Sequence, residues 1–396
     1  MSHANVIGWI LGIMMLLFSP ALLAQKTKAQ LQRERQQRLE KIKEVEKILS
    51  ETSTKKKNSL GELTALNQRI REQESLISSI KAEIAFLEND ISENNEFIEA
   101  LEEDLKKLKE EYATMLFVAQ KANNSATRLT FLFSAESFEQ LMMRLRYMRQ
   151  YSDRRKLQVE VITKVQAELT DQIRQIELKK SEKNNLLNDQ LAENDNLAEL
   201  KKKQNTVFRS LSKQERSLKN DLEETRKAVA ALEKKINEII REEVARAARE
   251  ARGNSSVNVA LSNSFEQNKT KFPWPVSGFI SQRFGRQKHP VLPNVTIQNE
   301  GVNIQTKQNE KVKTIFDGEV RAVAFIPPLG SSVIISHGEY FTVYAGLKEV
   351  YVKRGQKVST NQEIGQVLSN VDGISELRFQ IRKSTTALDP QLWLRN

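Results

Sequence analysis

The chain has 396 residues, no cysteine and only three histidines, His3, His289 and His337. The lack of thiols excludes disulfides and cysteine-based metal or redox chemistry, and is compatible with either redox compartment. A catalytic zinc needs three N, O or S ligands and an open position for water. His3 lies in an amino-terminal apolar segment, so two imidazoles remain for the folded part, and an all-histidine centre is excluded. Glycine and proline are confined in the same way. No glycine lies between Gly61 and Gly253, and no proline between Pro20 and Pro273. So long a span without a breaker reads as extended helix. Lysine and arginine are absent before Lys26, yet the whole chain carries a formal charge of +11. That excess favours anionic surroundings, and no RNA- or DNA-reading motif accompanies it.

The first apolar run, Val6 to Leu23, closes on Ala21-Leu-Leu-Ala24. It reads as a signal peptide over 1–24, cleaved after Ala24. The alternative is an uncleaved anchor, because about 18 apolar residues just suffice to span a bilayer. From Leu63 a 3-4 spacing runs through Leu66, Ile70, Gln73, Ile77, Ile80, Ile84, Leu87, Ile91, Asn94, Ile98, Leu101, Leu105, Leu108 and Tyr112 to Met115, and the same register reaches back through Ile42, Val45 and Leu49. That repeat is a coiled-coil seam. A second frame, from Ile162 through Leu169, Ile173, Ile176, Leu187, Leu197, Phe208, Leu211, Leu218, Leu222, Val229, Leu232 and Ile236 to Ile239, has more polar interruptions and predicts an antiparallel partner, the hairpin spanning 25–252. A parallel homodimer through each frame is the alternative.

Between the frames, residues 116–156 carry more large apolar side chains than a turn requires, interleaved with Arg144, Arg146 and Arg149. The segment reads as a helical knob with a partner-binding surface, Ser134 capping its helix. Residues 253–271 read as a polar linker, with Leu261 to Thr270 loop-like. Glu242 to Arg252 is Ala-rich and strongly helix-forming, either as simple extension of the coil or as a movable arm. From residue 272 short alternating runs predict antiparallel strands over Gly278–Phe284, Val312–Ile315, Glu319–Phe325, Ser332–Ser336, Phe341–Ala345, Ile364–Leu368 and Leu377–Ile381. The fold class is therefore α + β in separate domains, a long antiparallel coiled-coil hairpin followed by an all-β domain over 272–396.

The β-region resembles the lysostaphin/LytM-type zinc endopeptidases that cut peptidoglycan cross-bridges. The frame is Gly278-Phe-Ile-Ser-Gln-Arg-Phe-Gly285, Asn299-Glu-Gly-Val-Asn303, Ser336-His-Gly338, Tyr344-Ala-Gly-Leu347, Gly355 to Gly365 and Glu376-Leu-Arg-Phe379. In that family the corresponding pattern supplies three zinc ligands and two catalytic histidines. The resemblance puts Asn299, Asn303 and Arg378 at the ligand positions, and Gly346 and Glu376 at the catalytic ones. It implies a degenerate domain of duplicated hybrid motif, with no metal, no cofactor and no hydrolysis. His289 and His337 are then structural.

With the coiled coil in front, the chain is similar to the EnvC-type activators of cell-wall N-acetylmuramoyl-L-alanine amidases. That resemblance implies a periplasmic protein that docks an amidase in its vacant groove. It also implies a tip held by the periplasmic loop of FtsX, a subunit of an ABC-type membrane complex, which withdraws a restraining arm during septal peptidoglycan splitting. Carried onto this chain, the amidase groove is Tyr344, Arg378, Arg382, Asn299, Glu300 and Glu376. The tip surface is Phe131, Phe133, Phe138, Leu141, Met142, Leu145 and Tyr147, and the arm is 242–252 with part of 253–271. The other classes left open are an active zinc endopeptidase with unusual ligands, a periplasmic pump adaptor, and a passive wall-binding or structural coiled-coil protein.

Overall fold

The computed structural model describes residues 27–55, 57–121, 130, 132–250, 256–370 and 372–395. The expected signal peptide and Phe131 lie outside the described residues. Among the described residues the helices before the sheet are α1 (Lys28–Lys55), α2 (Leu60–Lys121), α3 (Phe138–Lys213), α4 (Glu215–Glu250) and α5 (Ser256–Gln267). No described helix is long and apolar enough to cross a membrane. The chain divides into two compact units, Met1–Arg35 with Ser78–Ala192, and Gln36–Ile77 with Glu193–Asn396.

In the first unit α2 and α3 run antiparallel. Lys179 pairs with Asp90 (2.8 Å) and Lys183 with Glu88 (3.5 Å), while the Tyr151 hydroxyl donates to the Met115 carbonyl (2.8 Å). Seam residues Ile84, Leu87, Ile91, Leu105, Ile176 and Leu186 are buried. The expected second-frame positions Ile173 and Leu187 are exposed instead. Thr27 starts α1 with a reciprocal capping box, its hydroxyl and backbone N–H both bonded to Gln30. The knob's helix is capped by Ser137, whose hydroxyl accepts from the Gln140 N–H (3.1 Å), three residues later than the Ser134 expected from the sequence.

In the second unit the chain departs from the straight register read back through Ile42, Val45 and Leu49. It turns at residues 57–59, and α1 folds back antiparallel on α2. Arg38 meets Glu72 (3.3 Å) and Arg69 meets Glu46 (2.9 Å). The turn is built by Asn58, which adopts φ 54°, and by Ser59, whose hydroxyl accepts from the Glu62 N–H (3.1 Å) while the Glu62 carboxylate accepts from the Asn58 N–H (2.7 Å). Residues 193–213 of α3 add a third helix, with Lys201 on Glu74 (2.8 Å). Gln73, a polar interruption of the seam, is fully buried and satisfied: it accepts from Arg69 and donates to the Glu193 carbonyl (3.1 Å).

The β-domain has strands β1 (Phe279–Gln282), β2 (Gly285–Lys288), β3 (Thr296–Asn299), β4 (Val302–Thr306), β5 (Lys311–Lys313), β6 (Gly318–Ile326), β7 (Gly330–His337), β8 (Tyr340–Val350), β9 (Lys357–Val358), β10 (Glu363–Val367), β11 (Ser375–Lys383) and β12 (Thr386–Leu388). The main sheet has the order β1-β4-β11-β8-β7-β6-β9, with β2-β3 as a separate ribbon. Alternation gives the sheet two unlike faces. Val302, Ile304, Val333, Ile335, Tyr344, Leu377, Phe379 and Ile381 point to the main core.

Residues 256–267, read from sequence as polar linker, form helix α5. It drives Phe265 into that core, with ring centroids 4.6 Å from Phe272, 4.9 Å from Tyr340 and 5.0 Å from His337. His337 is wholly buried. Its Nδ1 donates to the Asp317 carbonyl (2.7 Å), its Nε2 accepts from Thr342 (2.8 Å), and burial pushes its pKa down to about 4. His289 shapes a loop, its Nδ1 accepting from the N–H groups of Val291 (3.2 Å) and Leu292 (3.1 Å).

Candidate functional site

The outer face of the sheet carries the residues that matter. Along β11 the alternate positions Glu376, Arg378, Gln380 and Arg382 share this face. Their neighbours across the ladder are Gln305 and Asn303 on β4 and Ala345, Val343 and Phe341 on β8. The row is polar at its centre and apolar on the β8 side.

Helix α4 lies on that apolar side. Leu232, Ile236 and Ile240, spaced four apart on one helix stripe, are buried with Ile326, Ile334, Phe341, Val343 and Ala345 of the sheet. Burying such a side chain contributes about 1.5–3 kcal/mol. Beside them Glu233 and Asn237 converge on Arg382, which is only 2% exposed. Its guanidinium donates to Glu233 (3.0 Å), Glu300 (3.1 Å), Gln380 (2.9 Å), Asn237 (3.0 Å) and the Thr385 carbonyl (2.8 Å). Burial holds the Glu233 carboxyl above the usual carboxylate range, and Glu300 adds to the rise against the pull of Gln380 and Arg382. A third anchor follows at Glu243, 3.5 Å from Arg321 and 3.7 Å from Arg354.

The segment seated on the groove thus begins about ten residues before the expected Glu242–Arg252 arm, and Glu243 of that arm joins it, paired along its own helix with Arg246 (2.7 Å). The signal was present in the sequence. Leu232, Ile236 and Ile240 continue an apolar stripe beyond the point where the first helix could pair with it.

The positions that the resemblance assigns to zinc form a closed amide network. The Asn303 Nδ2 donates to Glu376 (3.0 Å) and Gln282 (3.2 Å), and its carbonyl oxygen accepts from Asn299 (3.2 Å). Ser281 donates to the same Glu376 carboxylate, and Arg378 stands 4.0 Å from it. Two carboxamides and a guanidinium do not fit zinc, since arginine is permanently protonated and has no lone pair to offer. Among the described residues no cluster of three His, Cys, Asp or Glu is placed to hold a metal. Gly346, at a catalytic-histidine position, has φ 91°, and a Cβ there would meet the Glu376 carbonyl oxygen at 2.6 Å.

Of the six groove residues expected, Arg378, Arg382, Asn299, Glu300 and Glu376 gather on this face. Tyr344 does not. It lies on the core side, its hydroxyl accepting from the Ile315 N–H (3.0 Å), and burial pushes its pKa up to about 12. The correction follows from pairing: Tyr344 sits opposite Phe379, an inward position. At the tip Phe133 (79% exposed), Phe138 (76%), Met142, Leu145 and Tyr147 are exposed and Leu141 is half-buried; Phe117 (69%), within 116–156 but outside the expected tip surface, is exposed as well.

Residues 297–390 match the model of peptidase family M23. An uncharacterized protein of Neisseria meningitidis serogroup B is 36% identical over 21% of this chain and 14% of its own length. Murein hydrolase activator EnvC of Escherichia coli K12 is 31% identical over 31% of this chain and 28% of its own. The chain therefore spans less than a third of either relative. A zinc-containing peptidase from Vibrio cholerae of known structure is 28% identical, with TM-score 0.27, over 31% of this chain and 39% of that one. At its carboxyl end, behind a helical region, this chain carries a domain of peptidase family M23.

Proposed function

We propose that this chain is a non-enzymatic, self-restrained activator of a cell-wall N-acetylmuramoyl-L-alanine amidase, acting outside the inner membrane in septal peptidoglycan splitting. The observation that carries the reading is helix α4 on the outer face, its Glu233 and Asn237 on a buried Arg382, next to a metal position built of amides and arginine. A groove that holds an amphipathic helix by an apolar stripe and a charged anchor can exchange that helix for a partner's. The similarity to a protein named murein hydrolase activator supports peptidoglycan machinery as the setting. The exposed aromatic and methionine residues at the hairpin tip suit a second partner, an FtsX-type periplasmic loop of an ABC complex.

The chain would then be a switch. A ligand shifts such an equilibrium only by its differential affinity for the two states, so release of α4 must be offset by binding at the tip and by the amidase's own contacts in the groove. The test uses the full chain, a purified amidase and isolated peptidoglycan. Unaltered protein is expected to stimulate weakly, Ile236→Asp strongly, and Ile236→Asp with Arg382→Glu not at all, with circular dichroism unchanged. Stoichiometric zinc with release of cross-bridge peptides by the chain itself would overturn the reading.

A further inference from the structure

Helix α4 covers only the Arg382 end of the outer face. The opposite end, past Glu376, is covered by a different segment: the elbow between α1 and α2. Gln305, the ladder neighbour of Glu376, is 1% exposed, and its amide donates to the Thr52 hydroxyl (3.3 Å) and the Gly61 carbonyl (3.3 Å). Glu51 accepts from the Gln308 N–H (2.9 Å).

Two glycines make the approach possible. Gly61 is the one glycine between Gly12 and Gly253, and a Cβ there would lie 2.4 Å from Ile374. A Cβ on Gly373 would lie 2.1 Å from the Lys55 Cβ. The elbow is also joined by apolar packing. Phe279, Val291 and Leu292 of the β-domain are buried in one cluster with Ile48, Leu49, Leu63 and Leu66 of the helices. His289 holds Val291 and Leu292 in place for that contact.

The two covers differ in kind. The α4 contact is a narrow stripe flanked by ion pairs. The elbow contact continues the core of the helical bundle into the β-domain, through Val45, Val207, Leu211 and Leu218. We infer that the elbow is a fixed stop across the emptied-metal end of the groove, and that only the Arg382 end opens. The groove then admits a helix entering from the Arg382 end as far as Arg378, and excludes an extended peptide threaded through it. Loss of peptidase chemistry is accordingly twofold: the ligand set is gone and the path along the sheet is blocked.

The absence of native cysteine allows a direct test in the full chain. Single reporters Val343→Cys, under α4, and Gln305→Cys, under the elbow, are labelled with a maleimide. In the Ile236→Asp background labelling at position 343 is expected to rise about tenfold or more, as local opening requires, with position 305 unchanged. Gly61→Trp is expected to do the reverse. If Gly61→Trp fails to fold, the Gln308 amide decides: its hydrogen exchange should be unaltered by Ile236→Asp. Both reporters opening together in Ile236→Asp would mean a single hinged cover and would overturn the inference. So would a Gln305→Cys that reacts in the unaltered background as fast as in denaturant. Because labelling needs no amidase, failure of stimulation would sink the proposed function and leave this result standing.

Discussion

The two faces of one sheet behave as two different materials. On the inner face β8 and β11 present Tyr344, Phe379 and Ile381 to a closed apolar core. On the outer face the residues between them, Arg378, Gln380 and Arg382, form a polar row covered by helices from elsewhere in the chain. A strand changes face at every residue, so structure and function are interleaved one position apart. Substitutions on the inner face should cost the fold, and those on the outer face should cost the cover.

The largest expected effect is on the inner face. Phe379→Ala should destabilise the β-domain by about 3–5 kcal/mol, seen as a lowered denaturation midpoint; a loss below 1 kcal/mol would mean the two faces are not energetically distinct. Next is the pH dependence of His337. Its folded pKa of about 4 lies below the ordinary 6.5, so the unfolded chain binds the extra proton. Stability is then full above about pH 6.5 and falls as pH drops towards 4, by about 3 kcal/mol in all. Urea midpoints across that window measure it, and His337→Gln should flatten the profile. The smallest effect sharpens the comparison from the other side. Glu233→Ala leaves Arg382 with Glu300 and Gln380, and should weaken α4 docking by about 1–3 kcal/mol while the β-domain's own midpoint stays unchanged.

Much of this was legible in the sequence because its periodicities are long and strict. The seam from Leu63 to Leu105 and the strand over Glu319–Phe325, observed as β6 (Gly318–Ile326), needed only spacing. The elbow was not legible, since Ile42, Val45 and Leu49 fit the heptad equally well in a straight helix and in one folded back; Asn58-Ser59 was the overlooked turn chemistry. Helix α5 was missed because Ser and Asn are weak helix formers, and Phe265 is held by tertiary packing. Tyr344 was misplaced because Tyr340 to Leu347 is buried on both faces, which leaves no polar alternation to tell inside from out. Arg382 and Glu300 were found through a motif, but their partner Glu233 came from a helix read only as coil.

Gly346 has a consequence for history as well as for shape. Its left-handed backbone and the 2.6 Å gap to the Glu376 carbonyl leave no room for any side chain. Placing an imidazole at that spot would require the main chain to be re-laid first, so a single codon change cannot seat one there. Any mutational route to a histidine at this position is barred until the backbone around it has moved.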